Sequence, residues 1–217
     1  MSSSIDPSLP PLKPTYTASP DAEESKATQE LINNLGLLKH IEGGYFKEID
    51  RNPLIIPNPF YVAGREEEGL GKTAGGPRSG DDTTRTASTS IYYLLTRNSP
   101  LGAFHRNKGR TVHTLIKGRG RYVLIHADEP GSKKRIETFV VGRNVAEGEK
   151  VCWVVEGGKF KGTCLLEGDG DEGLLISETV IPGFEYSDHD FMTQEKYEEL
   201  VTEEQAKELA WMVRKDR

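Results

Sequence analysis

Between Ser88 and Ile181 the chain passes through seven short stretches rich in β-branched and aromatic residues: STSIYYLLT, TVHTLIKG, RYVLIHA, ETFVVG, KVCWVV, GTCLLEG and LLISETVI. Each is bounded by Gly, Asp, Asn or Pro, the punctuation of short strands. Such regularly spaced strands predict a sandwich or closed barrel, not a βαβ sheet. Alternation places His113 and Leu115 on one face of their strand and Thr114 and Ile116 on the other. In the next strand Arg121, Val123 and Ile125 oppose Tyr122, Leu124 and His126, and the pattern leaves open which set faces inward.

The flanks have a different period. From Ser25 to Leu35, apolar Ala27, Leu31, Ile32 and Leu35 recur at helical spacing and Gly36 follows as a stop. After it, Gly43 and Gly44 interrupt the chain before Tyr45 and Phe46 open a strand. Toward the C-terminus Tyr197, Leu200, Val201, Leu209 and Met212 again follow helical spacing, and Thr202 with Gln205 form a capping box, so one or two helices close the chain. Residues 1–24, dense in Ser and Pro, have no apolar period and are expected to be a disordered tail. Residues 25–217 are expected to be a single domain, with a surface insertion over about 58–84. The GLGKTAGG within that insertion lacks P-loop glycine spacing and a preceding strand, so nucleotide binding is not expected there.

Composition narrows the partners. Only 35% of the 217 residues are hydrophobic, which concentrates the core in the strand-rich centre. A net charge of -6 gives no basic surface for nucleic acid. No run approaches the roughly 18 apolar residues of a membrane span, and the opening MSSSIDPSLPPLKP lacks a signal-peptide layout. A cytoplasmic protein with neither nucleic acid nor membrane as partner is expected. Cys152 and Cys164 lack CxxC spacing and read as free buried thiols.

Of five histidines, His105 and His113 fall in the strand-rich centre with an intervening loop and a glycine-punctuated strand after them. In LGAFHRNKGRTVHTLIKG the two strands are joined by NKGR, which predicts neighbouring strands with both imidazoles near one barrel mouth. Arg85 and Arg106 are candidates to clamp a carboxylate or phosphate. Glu42 and Tyr45, flanking the Gly pair, are candidates for pocket lining. The turn of Pro182, Gly183, Phe184 and Glu185 is a candidate rim, with a plain turn as the simpler reading.

The segments EGGYFKEIDRN, RTASTSIYYLLT, the FHR and downstream His113 pair with KGRGRYVLIH, GEKVCWVVEGGKFKG and ETVIPGFEYSDHDF occur in one order. Together they resemble the cupin family designated domain of unknown function 985, over about residues 29–192, in its fungal form. The resemblance implies an all-β fold, a double-stranded β-helix (the cupin jelly-roll barrel) with short flanking α-helices, commonly a homodimer, with a pocket in the barrel centre. In metal-binding cupins one motif supplies two His and a Glu and a second motif a third His. On that pattern His105 and His113 occupy histidine positions, Thr111 stands near the place of the Glu, and Lys161 stands where the third His would be. Two imidazoles fall short of the three or four donors a retained metal needs, so no metal and no cofactor are expected. Glu178 or Asp188 remains as a carboxylate the fold could bring near.

The expected function is therefore binding of an unidentified small polar molecule in the barrel, with Glu42, Arg85, Tyr92, Arg106, Lys161 and Glu178 as ligand-binding candidates. The first alternative is a metal-free epimerase, isomerase or cyclase acting on a sugar or small metabolite. It would use His105 or His113 as base and Tyr45 or Tyr92 as acid, as the resemblance to deoxysugar epimerases implies. The second is a metal-dependent dioxygenase.

Overall fold

Apolar alternation in the central strands demands two buried faces, and the chain provides them by stacking one sheet on another. The computed structural model of the protein describes residues 2–64, 78–168 and 173–214. The first sheet contains β1 (Leu38–Lys39), β2 (Tyr45–Arg51), β5 (Thr89–Thr96), β7 (Arg110–Lys117), β10 (Cys152–Val155) and β12 (Gly173–Ile181), in the order β1-β2-β5-β12-β7-β10. The second contains β6 (Leu101–Asn107), β8 (Gly120–Ile125), β9 (Ile136–Val141), β11 (Phe160–Leu165) and β13 (His189–Phe191), in the order β13-β6-β11-β8-β9. A small ladder pairs β3 (Ile55–Pro57) with β4 (Thr84–Thr86).

All seven expected strands form. The connection through NKGR is not a hairpin, however: β6 lies in the second sheet and β7 in the first. His105 and His113 therefore belong to different sheets instead of neighbouring strands. Loop length alone cannot distinguish a tight hairpin from a tight crossing between layers, and the pairing choice is made by burial.

Burial also decides the faces. Tyr93, Leu95, Tyr122, Leu124, Trp153 and Ile176 pack together between the sheets. On the outer side of the second sheet, Phe104, Val123, Ile125 and Phe160 are covered by α2 (Gln194–Leu200) and α3 (Glu203–Leu209), through Tyr197, Leu200 and Leu209. On the outer side of the first, α1 (Lys26–Leu35) sets Ile32 against Leu94 and Leu175, with Tyr45 and Tyr92 beside them. The caps read from the sequence are present. Ser25 accepts from the Thr28 amide, Gly36 is left-handed with φ 63°, and Thr202 and Gln205 form the reciprocal box.

The N-terminal segment differs from the expected tail. Glu208 of α3 accepts from Ser3 Oγ at 2.8 Å, Ser4 N at 2.7 Å and Leu12 N at 2.7 Å, while Ile5 and Leu12 pack on the helix-covered core. A single carboxylate that satisfies several donors offsets ordering in a way that no apolar period reveals. Within the expected insertion, Asn58 closes the loop base on Thr83 and Asp82, at 2.8 Å each. GLGKTAGG lies outside the described residues. Cys164 is buried as expected, but Cys152 is exposed, because Trp153 and Val155 take the inward positions of β10. Among the described residues no helix is long and apolar enough to cross a membrane.

Candidate functional site

Along β12 the inward face changes character: Leu174 and Ile176 belong to the apolar core, and Glu178 beyond them is charged. There the space between the sheets widens into a cavity of about 60 Å³, enough for a few waters or a small molecule. Its wall includes Glu42, His105, Lys161 and Glu178, with Phe46 and Val180 as apolar neighbours.

Lys161 ties the two sheets together. Its Cα pairs with that of His105 across β11 and β6, and its Nζ donates to Glu178 Oε2 at 2.8 Å and to His113 Nε2 at 3.0 Å. Glu178 and His113 are themselves Cα partners across β12 and β7. Burial alone raises a carboxyl group's pKa, but Lys161 and then His113 outweigh it and hold Glu178 well below the usual carboxylate range. Burial, reinforced by the Lys161 ammonium, lowers His113. The His113 ring is fully buried and stacks on Trp153 at 5.1 Å, so it backs the wall instead of facing the cavity.

A second cluster is built on the Gly pair. Gly43 and Gly44 have φ of 105° and 70°, and a Cβ at either would collide with the carbonyl oxygen of Leu101 or Leu94. This close approach lets the Ala103 amide donate to the Glu42 carbonyl at 2.8 Å and carries Glu42 over β6. Tyr93 Oη donates to the Gly43 carbonyl at 2.9 Å. The Glu42 carboxylate accepts from His189 Nε2 at 2.8 Å through Oε1, while Oε2 lies 3.3 Å from His105 Nε2 and 3.5 Å from His40 Nδ1. Burial opposes ionisation of Glu42, yet His105, His40 and His189 together hold it below the usual range. Burial pushes His105 down to about 3, so its imidazole is neutral near pH 7.

Ion pairs form another part of the cavity wall. Arg51 donates to Glu185 at 3.0 Å and to Glu48 at 2.9 Å. Of the Pro182–Glu185 turn, Phe184 and Glu185 line the cavity.

Four expected site residues are placed elsewhere. Tyr45 and Tyr92 point to the outer, helix-covered face, and Tyr45 Oη donates to Glu24 at 3.1 Å. Alternation puts Tyr93, not Tyr92, inside. Arg85 is buried but saturated, with Nε donating to Asp188 Oδ2 at 2.7 Å and Nη2 to Asp82 and Ser187. Arg106 pairs with Asp190 at 2.8 Å and lies over the Phe160 ring on the outer face, since Ala103, His105 and Asn107 take the inward positions of β6. Asp188 is held by Arg85. Glu178 is the carboxylate the fold does bring to an expected histidine, its Oε2 lying 3.4 Å from His113 Nε2 while it pairs with Lys161, although it is not part of the Glu42 cluster.

The donor count made from His105 and His113 also changes. Glu42, His105 and His189 bring one ligand atom each within 4.8 Å of one another, a set that fits a metal ion. His189 and His40 are the residues that sequence reasoning missed. His189 sits in the SDHD run beside an aromatic, where two acidic neighbours were a signal for a buried, partnered imidazole.

Comparison with known proteins agrees with this architecture. The family model described as Cupin superfamily (DUF985) matches residues 29–192. The uncharacterized protein YML079W of Saccharomyces cerevisiae is 42% identical over 200 residues, spanning 91% of this chain and 92% of its own. Among solved structures, a hypothetical protein from Leishmania major is 25% identical, with a TM-score of 0.67, over 89% of this chain and 100% of its own. Protein SO0799 from Shewanella oneidensis is 19% identical with a TM-score of 0.63, over 90% of this chain and 100% of its own, and shows the shared fold. With two facing sheets, a polar cavity between them and a family match across most of its length, the chain belongs to the DUF985 family of the cupin superfamily.

Proposed function

We propose that the protein binds a small polar molecule between the two sheets. One observation carries this reading: Glu42, Lys161 and Glu178, all charge-bearing side chains of the barrel interior, surround one cavity together with His105. Buried ionised groups cost stability unless each is paired, and a hydrophobic filling of the same volume is often the more stable choice. Charged groups kept around an open space are better explained by a ligand than by packing. The apolar wall of Phe46, Ile91 and Val180 suits a ligand with a carbon skeleton as well as polar ends.

The test is mass spectrometry of the purified, unfolded protein together with thermal-shift measurements on small hydroxy acids, carboxylates and sugars. A saturable rise in melting temperature in the wild type, lost in Lys161→Met and His105→Ala but kept in Arg106→Ala, is expected. If no molecule co-purifies and no compound gives a saturable shift, the reading fails.

Acid–base isomerisation is less well supported. Tyr45 and Tyr92 face away from the cavity, His113 is behind its wall, and a His105 held near 3 is a weak general base at neutral pH. A homodimer remains part of the proposal, on the family resemblance and on the exposed apolar side chains of Leu38, Leu54 and Ile55. Sedimentation equilibrium that found only the 24.1 kDa monomer at micromolar concentration would remove it.

A further inference from the structure

His105 Nδ1 lies 2.8 Å from the carbonyl oxygen of Ala103. A carbonyl only accepts, so Nδ1 carries a proton, which leaves Nε2 as the nitrogen to ligate, and it points at Glu42 Oε2, 3.3 Å away. A buried imidazole nitrogen and a carboxylate oxygen thus face each other across a gap that a shared cation would bridge. The other carboxylate oxygen accepts from His189 Nε2, so Glu42 bridges two imidazoles that are stacked at 5.4 Å. Ligation by His189 Nε2 would move its proton to Nδ1, a buried nitrogen with no partner among the described residues.

We propose that Glu42, His105 and His189 hold a divalent first-row transition-metal ion, with the remaining coordination positions open to the cavity. Two imidazoles and a carboxylate are a donor set that such ions accept, and it leaves sites for water or a small ligand. Ligand atoms within 4.8 Å of one another need only small side-chain movements to reach about 2.1 Å from a common centre. His105 already has the supporting contact that metal-bound histidines use, its second ring nitrogen donating to a backbone carbonyl. The three side chains are at most 10% exposed. Lys161, the nearby cation, is occupied by Glu178 at 2.8 Å and does not claim the Glu42 carboxylate. The site draws on two residues outside the cupin motif pattern, Glu42 and His189, and so does not need a histidine at position 161. It stands apart from the binding of an organic molecule, because the same three donors are present whether or not one is bound.

The test uses the untagged full chain, freed of metal by chelation and dialysis and then titrated with Zn²⁺ by calorimetry and with Co²⁺ by visible absorption. One equivalent of each should bind, and Co²⁺ should give bands of nitrogen and oxygen ligation with no thiolate charge transfer from Cys152 or Cys164. Glu42→Gln and His189→Asn should each weaken binding by more than about tenfold, the smallest loss seen even for supporting residues. His126→Gln, which changes an imidazole held by Glu137 and Lys159 away from the cavity, should bind as the wild type does. Circular dichroism checks each fold. Should a variant unfold, paramagnetic shifts of the His105 and His189 imidazoles in Co²⁺-loaded wild type provide the same test. No stoichiometric uptake, uptake indifferent to Glu42→Gln and His189→Asn, loss in His126→Gln, or unshifted imidazoles would overturn the proposal.

Discussion

Lys161, on the second sheet, donates to Glu178, on the first, at 2.8 Å, so that one buried ion pair spans the barrel interior. The pair orients the polar wall: the same ammonium reaches His113, and the same carboxylate lines the cavity. Since both charges are withdrawn from water, the loss of one should be felt more than the loss of both.

Lys161→Met should therefore destabilise the protein by about 3–5 kcal/mol, because Glu178 would be left buried without its cation. The double variant Lys161→Met/Glu178→Gln should recover much of that loss. Urea midpoints of the single and double variants measure both, and a single variant within about 1 kcal/mol of the wild type, as for an exposed pair, would contradict the account.

Acid should weaken the fold before the carboxylates titrate. Burial lowers His105 from 6.5 to about 3, so the unfolded chain binds a proton there more readily than the folded one. The stability is complete above the unfolded value and falls as pH drops through the window toward the folded one, by up to about 1.4 kcal/mol per pH unit for one group. Unfolding free energies measured in chelator between pH 6.5 and 5 should decline, and His105→Gln should make the decline shallower. An unaltered slope in the variant would show that His105 is not a source.

Glu208→Ala should free the N-terminal segment while leaving the barrel intact. Glu208 accepts from Ser3, Ser4 and Leu12, three residues of a segment with no helix or strand of its own. Hydrogen exchange should show faster amides for residues 3–12 alone. Equal protection in the variant would mean that Ile5 and Leu12 hold the segment by packing.

Gly43→Ala should cost more than Gly36→Ala. Both glycines have positive φ, which costs another residue about 1–2 kcal/mol, but only at Gly43 would the new Cβ meet a backbone oxygen, that of Leu101. Thermal melts compare the two, and metal titration of Gly43→Ala should show weaker binding, because Glu42 moves with its neighbour. Equal melting temperatures would place the close approach of Gly43 and β6 in error.

Much of this protein was legible in its sequence because the signals are local. The strand runs, the helix from Ser25 with its Gly36 stop, the Thr202 capping box and the family resemblance concern residues near one another, where period and cap chemistry act directly. Glu42, His105, Lys161 and Glu178 were also recognised as candidates, and they do meet at one cavity. What could not be read was which partners the candidates have. Arg85 and Arg106 look like ligand clamps until Asp188 and Asp190, more than eighty residues away along the chain, are found beside them. Tyr92 and Tyr93 are equivalent by residue type, and only the packing of α1 on the outer face decides that Tyr93 is the inner one.

By itself the sequence determined the fold class, the helix ends and the kinds of side chain available to a site, because each depends on short-range geometry and on the balance of apolar and polar residues. Tertiary structure alone decided that β6 and β7 go to opposite sheets, that Lys161 joins Glu178 and that His189 comes to Glu42. Those choices follow from burying two sheet faces at once, a constraint that acts on the whole chain and leaves no mark in any one segment of it.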